Sequence, residues 1–196
     1  MNTASPISCV VPTLDGPVLE VLARSSVPLS LTEIHRRSTR GALSGVRSVL
    51  RRLVREGVVA AVPGGYVLNR EHVAAGAVDT LVNLRGEFIA RLRTLVASWS
   101  YHSDLVGLFG SFARRDGDAE SDIDVLVVGD DAFPDDTLDT LANHVLAWTG
   151  NRAQVIALSK AEVRRLRAAG EPIISEWRRD LEVVHGDSSI VGDVLQ

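Results

Sequence analysis

The stretch that decides the fold is residues 110–128, which read GSFARRDGDAESDIDVLVV. It begins with a small-residue turn, continues through a short basic segment and ends in an apolar run that two aspartates introduce. Asp122 and Asp124 are two positions apart, so on a strand both side chains leave the same face. Ile123 and Val125 then point to the opposite face. The pattern predicts a buried β-strand that presents two carboxylates at its start.

The paired carboxylates indicate a site for a divalent cation. Two carboxylates held side by side repel each other unless a cation binds them, and Mg²⁺ (or Mn²⁺) prefers oxygen ligands. Upstream, Gly110 lets the backbone approach a phosphate closely, and Ser111 offers a hydroxyl and an amide where a helix begins. This arrangement favours metal-assisted phosphoryl chemistry. Asp122 and Asp124 are therefore the predicted metal ligands and catalytic residues.

The same stretch resembles the signature of the nucleotidyltransferase superfamily of DNA polymerase β, in particular its minimal nucleotidyltransferase (MNT) branch. That signature reads Gly-Ser-x-Ala-Arg-Gly, a short loop, and Ser-Asp-x-Asp before a hydrophobic strand. The matching positions are Gly110, Ser111, Ala113, Arg114, Ser121, Asp122 and Asp124. The resemblance covers roughly residues 101–187, about half of the chain. It implies that the paired aspartates hold the metal that accompanies the triphosphate.

Two positions depart from the family pattern. Arg115 stands where the family has a glycine, and Gln154 stands where the resemblance places a third carboxylate. Glutamine cannot supply negative charge to a metal, so the sequence predicts binding of NTP and Mg²⁺ and leaves turnover open. Asp104 and Glu182 are alternative sources of a third carboxylate. The predicted nucleotide-binding residues are Gly110, Ser111, Arg114, Arg115, Ser121 and Gln154, the arginines because guanidinium pairs with phosphate through two hydrogen bonds.

Composition places the chain among ordinary globular proteins. It has 196 residues, of which 45% are hydrophobic and 23% charged, and its five histidines show no metal-ligand spacing. No apolar run approaches the roughly 20 residues that span a bilayer, and the N-terminus lacks the basic start of a secretory signal. A single cysteine, Cys9, excludes an internal disulfide. We expect a cytoplasmic protein with no membrane partner.

The charged residues are unevenly distributed. Residues 36–55 hold seven arginines and no acid, whereas residues 101–140 hold eleven acids and two arginines. Such an asymmetry favours two sites with different partners.

Residues 13–71 carry the basic segment and predict a winged helix-turn-helix. Helices over 15–24, from 31 and over 44–55 precede two apolar runs around Pro63-Gly64-Gly65, which predict a β-hairpin. This order resembles the winged helices of bacterial transcription regulators, which implies that the third helix enters the major groove of double-stranded DNA. The alternative is a solvated face on a protein-interaction winged helix. The predicted DNA-binding residues are Arg36, Arg37, Arg40, Ser44, Arg47, Ser48 and Arg51.

The remaining segments complete an α+β fold. Residues 1–12 are predicted to be a flexible tail and 72–100 a long connector helix. Its apolar stripe would either pack on both domains or be covered by another copy of the chain in a homodimer. Residues 101–196 predict a nucleotidyltransferase domain with a polymerase β-like α/β core and a small mixed sheet. The domain order is thus winged helix, connector helix and nucleotidyltransferase core.

Three functions fit these observations. The first is a nucleotidyltransferase that moves NMP from NTP to a hydroxyl of a protein, an RNA or a small molecule, fused to a DNA-binding winged helix; the MNT resemblance implies a cognate toxin as one such protein. The second is a transcription regulator or antitoxin whose degenerate domain only binds nucleotide or dimerises, which Gln154 favours. The third is an antibiotic-modifying enzyme of the aminoglycoside nucleotidyltransferase type, which has no evident use for DNA contact.

Overall fold

A computed structural model describes residues 1–38, 40–129 and 133–186. The chain divides into two compact units. One consists of Asn2 and residues 4–85, and the other of Met1, Thr3 and the residues from 86 onward. Residues 187–196, the end of the predicted nucleotidyltransferase domain, lie outside the described residues.

The N-terminal unit contains three helices, a β-hairpin and a fourth helix, in that order. Its elements are α1 (Asp15–Ala23), α2 (Leu31–Ser38), α3 (Leu43–Arg55), β1 (Val59–Val62), β2 (Gly65–Leu68) and α4 (Ala75–Val82). Ser30 begins α2, since its hydroxyl accepts the Glu33 amide at 3.2 Å. Strands β1 and β2 pair antiparallel, with Val59 opposite Leu68. The predicted helices and hairpin are confirmed, whereas their identity as a winged helix stays a prediction.

The core of this unit explains the spacing of apolar residues on α3. Val46 and Leu50 are fully buried and pack with Leu22 of α1, Ile34 of α2 and Leu68 of β2. Ile7 joins the same core from a 3-10 helix at Pro6–Cys9 and is also fully buried. This buried side chain argues against a wholly flexible tail over residues 1–12.

The prediction of one long connector helix over 72–100 is wrong. The structure has α4, which ends at Val82, and α5, which spans Leu84–Ala97. Asn83 separates them with φ −95° and ψ 13°, outside the helical range. The apolar residues before and after Asn83 belong to different cores, because Val78 packs in the N-terminal unit and Phe88 in the C-terminal unit. The stripe thus contributes to both cores, which is one of the two alternatives that the sequence left open, but the sequence did not indicate the break at Asn83.

The C-terminal unit alternates strands and helices as the sequence predicted. Its remaining elements are β3 (Leu105–Phe109), α6 (Gly110–Arg114), β4 (Ile123–Gly129), α7 (Asp135–Thr149), β5 (Ala153–Ser159), α8 (Lys160–Ala168), α9 (Pro172–Asp180) and β6 (Glu182–Gly186). Ser159 and Glu162 form a capping box at the start of α8, which confirms Ser159 as its N-cap. The small mixed sheet is also confirmed: its order is β5-β4-β3-β6, with β4 and β5 parallel and the other pairs antiparallel.

The two faces of this sheet have separate cores. Val125 and Leu108 pack with Phe88 of α5 and Leu141 of α7 on one face. The other face carries a second core, formed by Phe109, Leu126, Val163, Ile174 and Trp177, under α8 and α9. Because side chains alternate along a strand, Asp124 lies on the same face as Leu126, which is the face that α9 covers. In the described parts of the chain, no helix is both long and apolar enough to span a bilayer.

Candidate functional site

Asp122 and Asp124 lie where β4 begins, next to the end of β3. Asp124 is in register with Phe109 of β3 on one side and with Gln154 of β5 on the other. Asp122 is exposed and Asp124 is half-buried. In the described residues neither carboxylate has a hydrogen-bond or ion-pair partner in the protein. The predicted pair is therefore together, open to solvent and free to bind a ligand.

The electrostatics of the pair favour a bound cation. Burial raises the pKa of the Asp124 carboxyl above its ordinary value, and repulsion from Asp122 raises it further. Arg114 acts in the opposite direction and Glu176 adds to the increase in the pKa. A divalent cation between the carboxylates would replace this repulsion with attraction. Among the described residues no group of three or more His, Cys, Asp or Glu side chains is arranged to hold a metal.

Gly110 shapes the site in two ways. Its φ of +64° lies in the left-handed region, which a side chain disfavours. A Cβ at this position would overlap Oδ2 of Asp124. The glycine predicted to allow a phosphate to approach also leaves space for the metal-ligating carboxylate itself. Ser111 follows at the start of the short helix α6, half-buried.

The loop between α6 and β4 is held by its own hydrogen bonds and by Asn151. The Ser121 hydroxyl donates to Oδ1 of Asp118 at 2.8 Å and accepts from the Asp118 amide at 3.0 Å. The hydroxyl of Ser121, a predicted nucleotide contact, is therefore bonded within the loop itself. Asn151, which is 2% exposed, donates through Nδ2 to the carbonyls of Ala119 at 3.2 Å and Ser121 at 2.9 Å. Sequence reasoning missed Asn151 as a structural residue, and its single signal is its position two residues before β5.

Arg115 is the one non-glycine residue with positive φ in the described residues, at φ 63° and ψ 34°. It ends α6 in the left-handed conformation for which glycine is preferred, and its side chain is exposed. The family glycine is thus replaced at a position where the backbone still has the glycine conformation. Strain of this kind at a binding site favours a role for the side chain.

We expect Arg115→Gly to stabilise the C-terminal unit while it weakens nucleotide binding. Removing the Cβ relieves left-handed strain by about 1 kcal/mol. Urea denaturation of both proteins measures the free energy of unfolding, and titration with Mg-ATP measures affinity. Arg115→Ala is the control, since it keeps the strain and removes only the guanidinium. Equal ATP affinity in all three proteins would contradict a role for Arg115 at the triphosphate.

Arg114 is paired with two carboxylates other than Asp122 and Asp124. Its guanidinium forms ion pairs with Asp180 of α9 at 2.9 Å and with Asp116 at 3.1 Å. Arg179 also binds Asp180, at 2.8 Å, and the Asp180 side chain is only 5% exposed. The two arginines, Arg179 and then Arg114, lower the pKa of Asp180 to about 2. Arg114 therefore joins α6 to α9, and it is also close enough to Asp124 to lower the pKa of that carboxyl.

The lowered pKa of Asp180 predicts a pH dependence of stability. A carboxyl whose pKa is lower in the folded state stabilises the fold above its unfolded pKa of about 3.9, and the stabilisation is lost as pH falls toward the folded value. Asp180→Asn is expected to be less stable than the wild type at pH 7, with a difference that shrinks below about pH 4.5. Urea denaturation between pH 3 and pH 7, on the order of five points, measures this difference.

Asp139→Asn provides the control, since Asp139 is exposed on α7 and makes no ion pair with another described residue. A difference between wild type and Asp180→Asn that stays constant over the whole pH range would contradict the assignment.

The alternative third carboxylates do not reach the site. Gln154 lies directly beside Asp124 in the parallel register and is exposed, as the resemblance implies for the family's third position. The Asp104 amide donates to the carbonyl of Val128, which lies four residues and about 13 Å from Asp124 along β4. The Asp104 carboxylate pairs with Lys160 at 2.9 Å. Glu182 is in register with Leu108 and therefore faces the opposite core. Neither replacement is supported.

The arginines of the N-terminal unit divide into two groups. Arg36 and Arg37 form ion pairs with Glu33 at 2.7 Å and 2.6 Å. Glu33 lies just before residues 36–55, the stretch that contains no acid. Arg37 and Arg40 also line a cavity of about 430 Å³. By contrast, four predicted DNA contacts share the exposed face of α3, and in the described chain their side chains have no protein partner. They are Ser44, Arg47, Ser48 and Arg51.

Comparison with known proteins finds a family model that is similar to part of the C-terminal unit. Residues 87–177 match a family model described as a nucleotidyltransferase domain. No curated protein matches the chain significantly.

Several solved structures share a partial likeness. A crystal structure of a toxin–antitoxin with AMP-PNP is 14% identical with a TM-score of 0.42, over 55% of this chain and 80% of that chain. The structure of the tri-AMPylated Shewanella oneidensis HEPN toxin in complex with MNT antitoxin is 14% identical, with a TM-score of 0.39 over 57% of this chain and 80% of that chain. The toxin–antitoxin MntA-HepT is 13% identical, with a TM-score of 0.38 over 56% and 80%. Because all three TM-scores are below 0.5, the family assignment stands on the match over residues 87–177.

Proposed function

We propose that the C-terminal unit, whose residues 87–177 match the nucleotidyltransferase domain model, transfers NMP from an NTP to a hydroxyl acceptor with Mg²⁺ bound by Asp122 and Asp124. The observation that carries the proposal is the pair of unpartnered carboxylates on one face at the start of β4, with Gly110 against Asp124. The residues fit a divalent cation because burial, and then repulsion from Asp122, raises the pKa of Asp124, and a bound cation would offset both effects.

Each residue has a distinct task in this proposal. Asp122 and Asp124 hold the cation, which supplies positive charge to the triphosphate when bound. Gly110 keeps the backbone clear of Asp124, and Ser111 offers a hydroxyl beside it. The exposed Arg115 guanidinium binds the phosphate tail. The acceptor oxygen bonds to the α-phosphorus, and pyrophosphate leaves. A hydroxyl of a partner protein, such as a cognate toxin, of an RNA or of a small molecule fits this chemistry.

Titration with each of the four NTPs, with and without Mg²⁺ or Mn²⁺, tests the proposal. We expect nucleotide binding that requires the metal, and release of pyrophosphate from the bound NTP. Metal-dependent binding without any transfer would instead support a degenerate, nucleotide-sensing domain, the alternative that Gln154 favours. Failure of every NTP to bind in the presence of either metal would contradict the proposed function.

A second function is supported by the N-terminal unit. We propose that α3 binds double-stranded DNA through its exposed face, which carries Arg47 and Arg51. The helix has an exposed basic face opposite a buried apolar one, and no acid lies within it. Unpaired guanidinium groups on such a face match the spacing and charge of a phosphate backbone. This proposal concerns the N-terminal unit alone and is independent of the chemistry of the other unit.

A further inference from the structure

Helix α9 covers the face of the sheet on which Asp124 lies. The ring of Trp177 packs edge-on against Phe109, with ring centroids 6.0 Å apart, and Phe109 is the β3 partner of Asp124. The ion pair between Arg114 and Asp180 also joins α9 to α6, which follows directly after β3. One side of α9 therefore faces the corner where the two aspartates and Gly110 meet.

Glu176 is on that side of α9. It precedes Asp180 by four residues, so the two side chains are neighbours on the helix surface. It also flanks the buried Trp177. Its carboxylate is exposed and has no hydrogen-bond or ion-pair partner among the described residues. The negative charge of Glu176 is close enough to Asp124 to contribute to the raised pKa of that carboxyl.

Three other carboxylates of this unit either form ion pairs or lie on the opposite face of the sheet. Asp180 is bound by Arg114 and Arg179. Glu182 faces the opposite core, and Asp104 pairs with Lys160 near the far end of β4. Glu176 is thus the free carboxylate that α9 brings to Asp124, at a site where β5 supplies only the neutral Gln154.

We propose that Glu176 is a catalytic residue that accepts the proton of the attacking hydroxyl. This inference rests on the proposed nucleotidyltransferase function. As the acceptor oxygen bonds to the α-phosphorus, the bond from that phosphorus to the β-phosphate oxygen breaks, and the electron pair leaves with pyrophosphate. The hydroxyl proton moves to a carboxylate oxygen of Glu176, which returns it to solvent. Gln154 cannot accept this proton because its amide is not basic. Water is the simplest acceptor and yields NMP and pyrophosphate.

Pyrophosphate release from Mg-ATP, with water as acceptor, tests the proposal together with the affinity for Mg-ATP. Glu176→Gln is expected to lower kcat about 100-fold and to leave Mg-ATP affinity unchanged, since a general base acts on the acceptor and not on the triphosphate. Glu176→Asp keeps the carboxylate and is expected to recover part of the lost kcat. Glu171→Gln removes the same charge from the exposed residue before α9 and is expected to match the wild type.

The outcomes separate the two proposals. Wild-type kcat in Glu176→Gln would overturn the role of Glu176 and leave the nucleotidyltransferase intact. A loss of kcat equally large in Glu176→Asp and Glu176→Gln, or a parallel loss of Mg-ATP affinity, would also overturn it, because the effect would then be structural. Failure of all four NTPs to bind to the wild type with either Mg²⁺ or Mn²⁺ would overturn the proposed function, and the role of Glu176 with it; if another NTP binds in place of ATP, the same comparison is made with that NTP.

Discussion

Asp124→Asn is expected to abolish metal-dependent nucleotide binding and to lower NMP transfer by at least about 1000-fold, because one of two metal ligands is lost. No other side chain can take the place of Asp124 as a ligand, since the described residues contain no group of three or more His, Cys, Asp or Glu side chains that could hold a metal. The asparagine has nearly the same shape as the aspartate, so Gly110 and the register with Phe109 are unaffected. Isothermal titration with Mg-ATP and release of labelled pyrophosphate measure the two effects.

The same variant should be at least as stable as the wild type. Burial and the charge of Asp122 both disfavour the ionised form of Asp124, and they raise its pKa. A carboxyl whose folded pKa is raised contributes stability at low pH that is lost as pH rises through that pKa. Asparagine is neutral at every pH and avoids this loss. Thermal unfolding at pH 8 therefore separates a lost ligand from a lost fold.

Asp139→Asn is the matched control, since it removes one charge from an exposed position on α7 and is expected to leave nucleotide binding unchanged. If Asp124→Asn bound Mg-ATP as tightly as the wild type, Asp124 would not be a metal ligand. If it unfolded at a markedly lower temperature, the carboxylate would be structural instead.

The sequence was sufficient to predict those features of the fold and the site whose geometry one short segment determines. The strand period alone placed Asp122 and Asp124 on one face and Ile123 on the other, and the structure has that register. The alignment of Gln154 with Asp124 also followed from sequence, because β5 is a predicted strand whose spacing the family resemblance supplied. These features depend on local periodicity and on one pairing between strands.

Features that depend on distant residues were not predictable in this way. The ion pair between Arg114 and Asp180 joins side chains 66 positions apart, and no pattern in either segment indicates it. The closeness of Glu176 to Asp124 depends on the packing of α9, on which Trp177 lies edge-on against Phe109. The break at Asn83 arises because two cores divide one apolar stripe. Each of these results required knowledge of which elements pack together.

The arginines of the N-terminal unit show the same limit and lead to a second large effect. Charge counting treats Arg36, Arg37, Arg47 and Arg51 alike, but Glu33 neutralises the first two. The double substitution of Arg47 and Arg51 by alanine is therefore expected to weaken duplex DNA binding strongly. Each lost phosphate contact lowers affinity by roughly tenfold at about 0.1 M salt, so the pair lowers it by about 100-fold.

The dependence on salt provides the sharper measurement. Each phosphate contact releases about 0.9 counterion, so the slope of log K against log salt concentration should become less steep by about 1.8 in the double variant. Fluorescence anisotropy with a labelled duplex, over salt concentrations of roughly 50–200 mM, measures this slope. Arg36→Ala, at a position already paired with Glu33, should change it less than either single substitution on α3.

A double alanine variant at Arg91 and Arg165 removes the same charge from the other unit, where each arginine pairs with a glutamate on its own helix. It should leave the slope unchanged, because local charge on α3 and not total charge determines contact with the duplex. Equal slopes for the wild type and the Arg47 and Arg51 double variant would show that α3 does not bind DNA. Equal losses in both double variants would mean that the net charge of the protein, and not this helix, governs the interaction.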